Sequence, residues 1–130
     1  MDKLQFLNDR QLPFAKVLGL KFTAASETGV TAEMVVRPEL CTRPDILHGG
    51  AVIGFLDTIM GHFAASSAKR PTATIGFDCR FLASAPPGAW IEGRVIMRRL
   101  ARTLAFVDGE ALADGKLLVA ASGIFKVFEG

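Results

Sequence analysis

The hydrophobic residues of this chain follow two different periods. Residues 49–67 are almost wholly apolar, and their bulky side chains recur at spacings of three and four, which predicts one long helix. After Pro71 the period becomes two, so that apolar and polar residues alternate along the rest of the chain. One long helix followed by hairpin-linked strands predicts an α+β fold in which an antiparallel sheet covers the helix.

Turn residues divide the second half into predicted strands. These run over about 74–81, 90–100, 103–114 and 117–128, with Asp114-Gly115 as a two-residue hairpin signal between the last two. Simple alternation assigns the residues of the first of these strands to two faces: Ile75, Phe77, Cys79 and Phe81 on one, Thr74, Gly76, Asp78 and Arg80 on the other.

The chain before the long helix begins with an amphipathic segment. Residues 2–12, with Leu4, Leu7 and Gln11 in register, predict a short helix that Pro13 ends, and the pattern from Val17 onwards is extended. A hairpin turn at 27–29 precedes a strand whose buried face is Val30, Ala32, Met34 and Val36.

Asp57 is the one acidic residue of the long helix. An ionised carboxylate inside an apolar element costs several kcal/mol unless it is paired, metal-bound or reached by water, so it needs a structural or chemical reason. It lies in a stripe of small residues, namely Gly50, Gly54, Gly61, Ala64 and Ala68. Such a stripe either leaves a groove beside the acid or lets strands pack tightly over the helix.

His48, Gly49 and Gly50 mark the start of the same helix. The backbone amides of both glycines are expected to be free there, at the positive end of the helix dipole, and to bind an oxyanion or polarise a carbonyl. His48 either caps the helix or orients a ligand near Gly49. His62 comes five residues after Asp57, which is not the spacing of a helical metal site, so no metal is expected.

Composition limits the remaining possibilities. The 130 residues predict a single domain, 1–130, and half of them are hydrophobic before the 13 glycines are counted, which indicates an oligomer interface or an apolar ligand groove. A net charge of +2 without a long basic run makes nucleic acid an unexpected partner.

No signal peptide is visible and the polar residues at 48, 57 and 62 argue against a membrane span, so we expect a cytoplasmic protein. Cys41 and Cys79 form no Cys-x-x-Cys pair and predict ordinary thiols.

The run Leu47-His48-Gly49-Gly50-Ala51, followed by Leu56-Asp57, resembles the hotdog-fold thioesterases, specifically their PaaI-like (phenylacetic acid degradation) branch. The upstream Pro38-Glu39-Leu40 and the later runs at 98–103 and 109–116 are similar to that branch as well, and the resemblance covers roughly residues 17–128.

The resemblance implies a hotdog fold, with a long helix wrapped by an antiparallel sheet, and dimers joined edge to edge that often pair into tetramers. It implies an acyl-coenzyme A substrate and no cofactor of the protein's own. Asp57 would act as general base or nucleophile opposite the Gly49 amide of the partner protomer, and Thr74 would position the attacking water. Many members carry Asn six residues before the His, where this chain has Thr42.

A coenzyme A substrate brings phosphates, so basic side chains are expected around the groove. The candidates are Arg98, Arg99 and Arg102, with Arg80 and Lys126 behind them. The leading functional hypothesis is hydrolysis of a small aromatic or medium-chain acyl-CoA. The alternatives are a hotdog hydratase or dehydratase and a non-catalytic acyl-binding module.

Overall fold

A computed structural model describes residues 2–10 and 12–129 of the chain. Its helices are α1 (Lys3–Asp9), α2 (Pro13–Leu18) and α3 (Gly49–Ala68). Its strands are β1 (Lys21–Ala25), β2 (Gly29–Val35), β3 (Cys41–Arg43), β4 (Ile46–Leu47), β5 (Thr72–Phe81), β6 (Trp90–Leu100), β7 (Leu104–Ala113) and β8 (Lys116–Val127). A 3₁₀ turn, Pro38–Leu40, precedes β3.

The main sheet is antiparallel and wraps around α3. Among the described residues it has six strands in the order β1-β2-β6-β7-β8-β5, while β3 and β4 form a separate small hairpin. The predicted α+β architecture with one central helix is confirmed, and it is the hotdog arrangement. Strand β5 lies at one edge of the sheet, with β8 on its inner side.

Helix α3 is buried along the side that faces the sheet. Its buried residues are Val52, Phe55, Leu56, Ile59, Met60, Phe63 and Ala64. Glycines of the sheet allow this close approach: a β-carbon at Gly93 would lie 2.5 Å from the Ile59 side chain. By length and composition alone α3 could cross a membrane, but helices buried in a protein core pass the same test.

The alternating strand before α3 is confirmed. Val30, Ala32, Met34 and Val36 are all buried, as the pattern of two predicts. The Asp114-Gly115 turn is also confirmed: both residues have positive φ, 50° and 76°, which is the backbone that a two-residue hairpin of the right twist requires.

The prediction for the N-terminal segment is partly wrong. Pro13 does not end a helix over residues 2–12; it occupies the first turn of the second helix, α2, where its fixed φ and missing N–H are tolerated. Consequently Val17 is helical, and extended structure begins only at Lys21, after Gly19 has ended α2 in the left-handed conformation. Gln11, predicted to lie in register on the first helix, falls outside the described residues.

Candidate active site

Asp57 lies in the middle of α3, partly buried, on the wall of a cleft of about 940 Å³. Its Oδ1 accepts a hydrogen bond of 2.7 Å from the Thr74 hydroxyl of β5. Within residues 2–10 and 12–129 the side chain of Asp57 takes part in no salt bridge. The carboxylate is therefore held by one neutral donor and stays open to the cleft, as a carboxylate that does chemistry must be.

A β-bulge brings Thr74 to Asp57. The pairing of β5 with β8 shifts between Thr74 and Gly76, so Ile75 is an extra residue without its own partner on β8. Thr74 pairs with Phe125, whose ring packs against α3, and Phe77 pairs with Gly123, which also faces the helix. The predicted face of Thr74 is thus wrong: Thr74 shares the helix side with Phe77, because the inserted residue reverses the alternation at that point. The predicted alternation holds from Gly76 to Phe81, and Phe77 and Cys79 both pack against the core.

His48 is the N-cap of α3. Its Nδ1 accepts a hydrogen bond of 2.7 Å from the Gly50 N–H, which is the capping interpretation of this residue. A neutral imidazole that accepts at Nδ1 carries its proton on Nε2. The Gly50 amide, expected to be free, is therefore occupied by His48.

The Gly49 N–H has no acceptor that we find among residues 2–10 and 12–129. It lies at the positive end of the α3 dipole, where an oxygen of a ligand would be stabilised. The Phe81 ring lies beside it, since a β-carbon at Gly49 would be 3.2 Å from a ring atom. Phe81 is itself half exposed, so the amide is bordered by an apolar side chain that faces solvent.

Gly49 and Asp57 are far apart within one chain. They are eight positions apart in the α-helix, which at 1.5 Å per residue is about 12 Å along the axis. A hydrogen bond to a carbonyl oxygen and attack on its carbon require groups within about 3 Å of those atoms. One protomer alone does not bring this amide and this carboxylate to the same substrate carbon.

The cleft at Asp57 lies between the N-terminal helices, α3 and the start of β5. Its cationic lining residues are Lys3, Arg10, Lys69 and Arg70, and its apolar ones include Phe6, Leu12 and Phe14. One signal in the sequence could have indicated these cations, because Lys69 and Arg70 come just after the end of the predicted helix. No pattern in the sequence predicts that residues of α1 and α2 line the cleft, since this depends on where those two helices pack against α3.

The stripe of small residues serves both purposes that were considered for it. At Gly61 it allows tight packing, because a β-carbon there would lie 3.3 Å from the Phe125 ring of β8. At Gly54 the neighbour is the Phe14 ring of α2, at 3.0 Å from a β-carbon, and this ring lines the cleft.

His62 also lines the cleft, and its ring stacks on Phe22 with the centroids 6.2 Å apart. Burial lowers the pKa of His62 below its ordinary value, and the positive charge of Arg10 lowers it further. Both effects favour the neutral form of the imidazole. No group of three or more His, Cys, Asp or Glu side chains in the described part of the chain is placed to hold a metal ion.

The arginines singled out from the sequence lie in two places. Arg80 and Arg98 line a different cavity of about 740 Å³, on the face of the sheet opposite α3. There the Arg98 Nε donates to Asp108 Oδ2 at 2.6 Å, and this contact holds the pKa of Asp108 below its ordinary value. Arg99 is exposed near the end of β6.

Arg102 is the one of these four that lies next to the Asp57 cleft. Its carbonyl oxygen accepts a hydrogen bond of 2.6 Å from Arg70, which lines the cleft. Thr42 is exposed on β3 and lines neither cavity, although the pairing of Cys41 with Leu47 keeps that strand close to the start of α3. The structure thus brings together Asp57 and Thr74, and separately His48, Gly49 and Gly50.

Comparison with protein-family models matches the chain to the thioesterase superfamily. The match covers residues 45–120, which contain both the helix start and Asp57. No curated protein sequence matches the chain significantly.

Solved structures share the fold along nearly the whole chain. The E. coli PaaI protein from the phenylacetic acid degradation operon is 17% identical, with a TM-score of 0.89 over 98% of this chain and 93% of its own. A thioesterase from Haemophilus influenzae is 18% identical, with a TM-score of 0.89 over 99% and 92%. A phenylacetic acid degradation-related protein from Ralstonia eutropha JMP134 is 22% identical, with a TM-score of 0.85 over 95% and 97%.

Proposed function

Because the chain belongs to the thioesterase superfamily, we propose that it hydrolyses the thioester of a small aromatic or medium-chain acyl-coenzyme A to the free acid and coenzyme A. The observation that supports this most directly is the Asp57 carboxylate, oriented by Thr74 and open to a cleft. The reaction requires no cofactor beyond the coenzyme A of the substrate, and we place it in the cytoplasm.

The proposed chemistry uses few groups. Thr74 occupies Oδ1 of Asp57, so Oδ2 is the oxygen that takes a proton from a water molecule or attacks the carbonyl itself. The attacking oxygen bonds to the carbonyl carbon, and the carbonyl oxygen becomes an oxyanion that accepts a hydrogen bond from the Gly49 N–H. This intermediate breaks its C–S bond; when water is the nucleophile, the thiolate receives the proton that Asp57 took. When Asp57 itself attacks, the product is an anhydride, and water hydrolyses it to the free acid, restores the carboxylate and supplies the thiolate's proton. A thiol of ordinary pKa, about 8.5, leaves without a strong acid, so no further proton donor is needed.

The site is proposed to be shared by two protomers. Gly49 and Asp57 are about 12 Å apart within one chain, so the second protomer must supply one of them. Strand β5 supports such a pairing, because its outer edge has no partner among the described residues and presents the exposed side chains of Ile75 and Phe81. A two-fold axis perpendicular to this edge would pair β5 antiparallel with its copy and make two equivalent sites, and two such dimers would form a tetramer.

The cations at the cleft are proposed to bind the phosphates of coenzyme A. Lys69 and Arg70 lie at the C-terminal end of α3, and Arg102 is tied to Arg70 through its carbonyl. Arg80, Arg98 and Arg99 would contribute only if the partner protomer brings its own sheet near this cleft.

The proposal is tested with a panel of acyl-CoA esters, in which release of the free thiol is followed. We expect turnover of phenylacetyl-CoA or a medium-chain ester, and a fall of at least about two orders of magnitude in Asp57→Ala and Asp57→Asn. Asp114→Asn is the matched control, because it makes the same chemical change in an exposed turn where Asn is favoured.

Several outcomes would contradict the proposal. Unchanged rates in a folded Asp57→Asn protein would remove the acid from the mechanism. Addition of water to enoyl-CoA without thioester cleavage would favour a hydratase. Binding of acyl-CoA without turnover of any ester would favour an acyl-binding module.

A further inference from the structure

Phe14 is an aromatic side chain on the wall of the Asp57 cleft that the proposed hydrolysis does not use. Its ring lies against α3 at Gly54, where a β-carbon would be 3.0 and 3.1 Å from two ring atoms. The side chain remains 53% exposed, so the ring borders open space instead of belonging to the core.

The contact lies one helical turn from the carboxylate. Gly54 precedes Asp57 by three residues, and residues at this spacing are neighbours on one face of a helix. Any group bound at Asp57 and extending towards the start of α3 therefore meets the Phe14 ring. A side chain at position 54 would press against the Phe14 ring, which is why the glycine matters here.

The backbone of Phe14 is fixed although its ring is free. Helix α2 is anchored by Ala15 and Leu18, which are fully buried, and by Arg37, whose guanidinium donates to the Val17 carbonyl oxygen. The ring is thus mounted on a rigid element, and only its side-chain torsions adjust to a ligand.

The two ends of the cleft differ in chemistry. On the N-terminal side of Asp57 the lining contains the apolar Phe14 ring, which contacts α3 at Gly54. On the C-terminal side it carries Lys69 and Arg70, about 18 Å further along the axis of α3 from Asp57 to Lys69. An acyl-CoA has the same polarity, with an apolar acyl group and an anionic nucleotide on either side of the thioester.

We propose that Phe14 determines acyl selectivity, with the acyl group packed against the exposed side of its ring, beside the Gly54 turn of α3, and the nucleotide directed towards Lys69 and Arg70. This inference rests on the proposed thioesterase function. Its consequence is that the space at Phe14 limits the bulk of the acyl group.

The test compares kcat/KM for butanoyl-, octanoyl-, dodecanoyl- and phenylacetyl-CoA. We expect Phe14→Ala to raise the dodecanoyl-to-butanoyl ratio by about tenfold, because one removed or added group in an apolar pocket typically changes selectivity by that order. Gly54→Ala should lower the same ratio, since its new methyl group pushes the Phe14 ring into the cleft.

The double variant Phe14→Ala/Gly54→Ala tests whether the effect of Gly54→Ala on the acyl ratio acts through the Phe14 ring or is independent of it. Without the ring, the methyl group at position 54 has nothing to displace, so its effect on the ratio should disappear. Val17→Ala is the matched control, because it truncates an exposed apolar residue of the same helix that does not line the cleft.

Equal acyl ratios in the wild type and in folded, active Phe14→Ala and Gly54→Ala proteins would overturn the inference alone. A wild-type protein that hydrolyses none of the four esters would overturn the proposed function together with it. A change of equal size in Val17→Ala would show that α2 acts through general loosening, and would also overturn the assignment to Phe14.

Discussion

The hydroxyl of Thr74 and the carboxylate of Asp57 join the edge strand of the sheet to the central helix through one hydrogen bond of 2.7 Å. The two residues are 17 positions apart, and only the extra residue at Ile75 turns the hydroxyl towards the helix. The bond fixes the orientation of the carboxylate while Oδ2 stays available. It therefore makes Thr74 the residue that positions the proposed base.

Removing the Thr74 hydroxyl should reduce activity without unfolding the protein. We expect Thr74→Val, which keeps the shape and the strand preference, to lower kcat by about tenfold or more, because a hydrogen bond to a charged group is worth about 1.5–3 kcal/mol. Thr74→Ser keeps the donor and should retain most of the activity. Steady-state kinetics of the two variants provides the measurement, and equal kcat values would contradict a positioning role.

Removing the Gly49 N–H should abolish oxyanion stabilisation. Pro is suited to this first helical position, and His48 already has the extended backbone, φ −67° and ψ 132°, that a residue before Pro needs. We expect Gly49→Pro to lower kcat by about 10²–10³. Gly49→Ala is the control, because it brings the same β-carbon to Phe81 but keeps the N–H; if both variants lose activity equally, the loss comes from the side chain.

Removing the charge of Lys69 should weaken binding of coenzyme A esters. Lys69 ends α3 with a φ of 56°, a conformation that Asn adopts readily, so Lys69→Asn should keep the helix cap. We expect KM for acyl-CoA to rise several-fold with little change in kcat, and no change for an acyl thioester of N-acetylcysteamine, which has no phosphates. Lys116→Gln, at the β7–β8 hairpin, controls for loss of one positive charge.

The same KM measurement on Arg98→Gln tests the sequence-based prediction that Arg98 binds the phosphates of coenzyme A. A rise in KM there, combined with none in Lys69→Asn, would move the phosphate site to the opposite face of the sheet.

The partly buried His62 should make the fold sensitive to acid. The folded protein holds its pKa below the value of about 6.5 that it has when unfolded, so unfolding takes up a proton in acid. The stabilising contribution is complete above pH 6.5 and is lost as the pH falls from there towards the lower folded pKa.

Denaturant unfolding of the wild type and His62→Gln at several pH values measures this contribution. The free energy of unfolding should fall more steeply between about pH 7.5 and 5 for the wild type than for the variant. His48 is present in both proteins, so any contribution it makes to the pH dependence of the free energy of unfolding cancels in the comparison. Parallel pH dependences would show that His62 is as accessible to protons when folded as when unfolded.

The local sequence determined the elements whose signals are local. The period of three to four over α3, the alternation of β2 and the Asp114-Gly115 turn each depend on residues within one element, and each is confirmed. The face of Thr74 was predicted wrongly, because a bulge is a feature of pairing with another strand and leaves no mark on the alternation of its own strand.

The residue pattern alone thus predicts a long apolar helix with one embedded acid, a glycine-rich helix start and a sheet of hairpins, because side-chain periodicity follows directly from helix and strand geometry. Which residues meet across the fold follows from the packing: Thr74 reaches Asp57, and Phe14 and the cations at the ends of α1 and α3 line the same cleft as the acid. These contacts join residues far apart in the chain, and their distances depend on how the elements pack and not on any one segment.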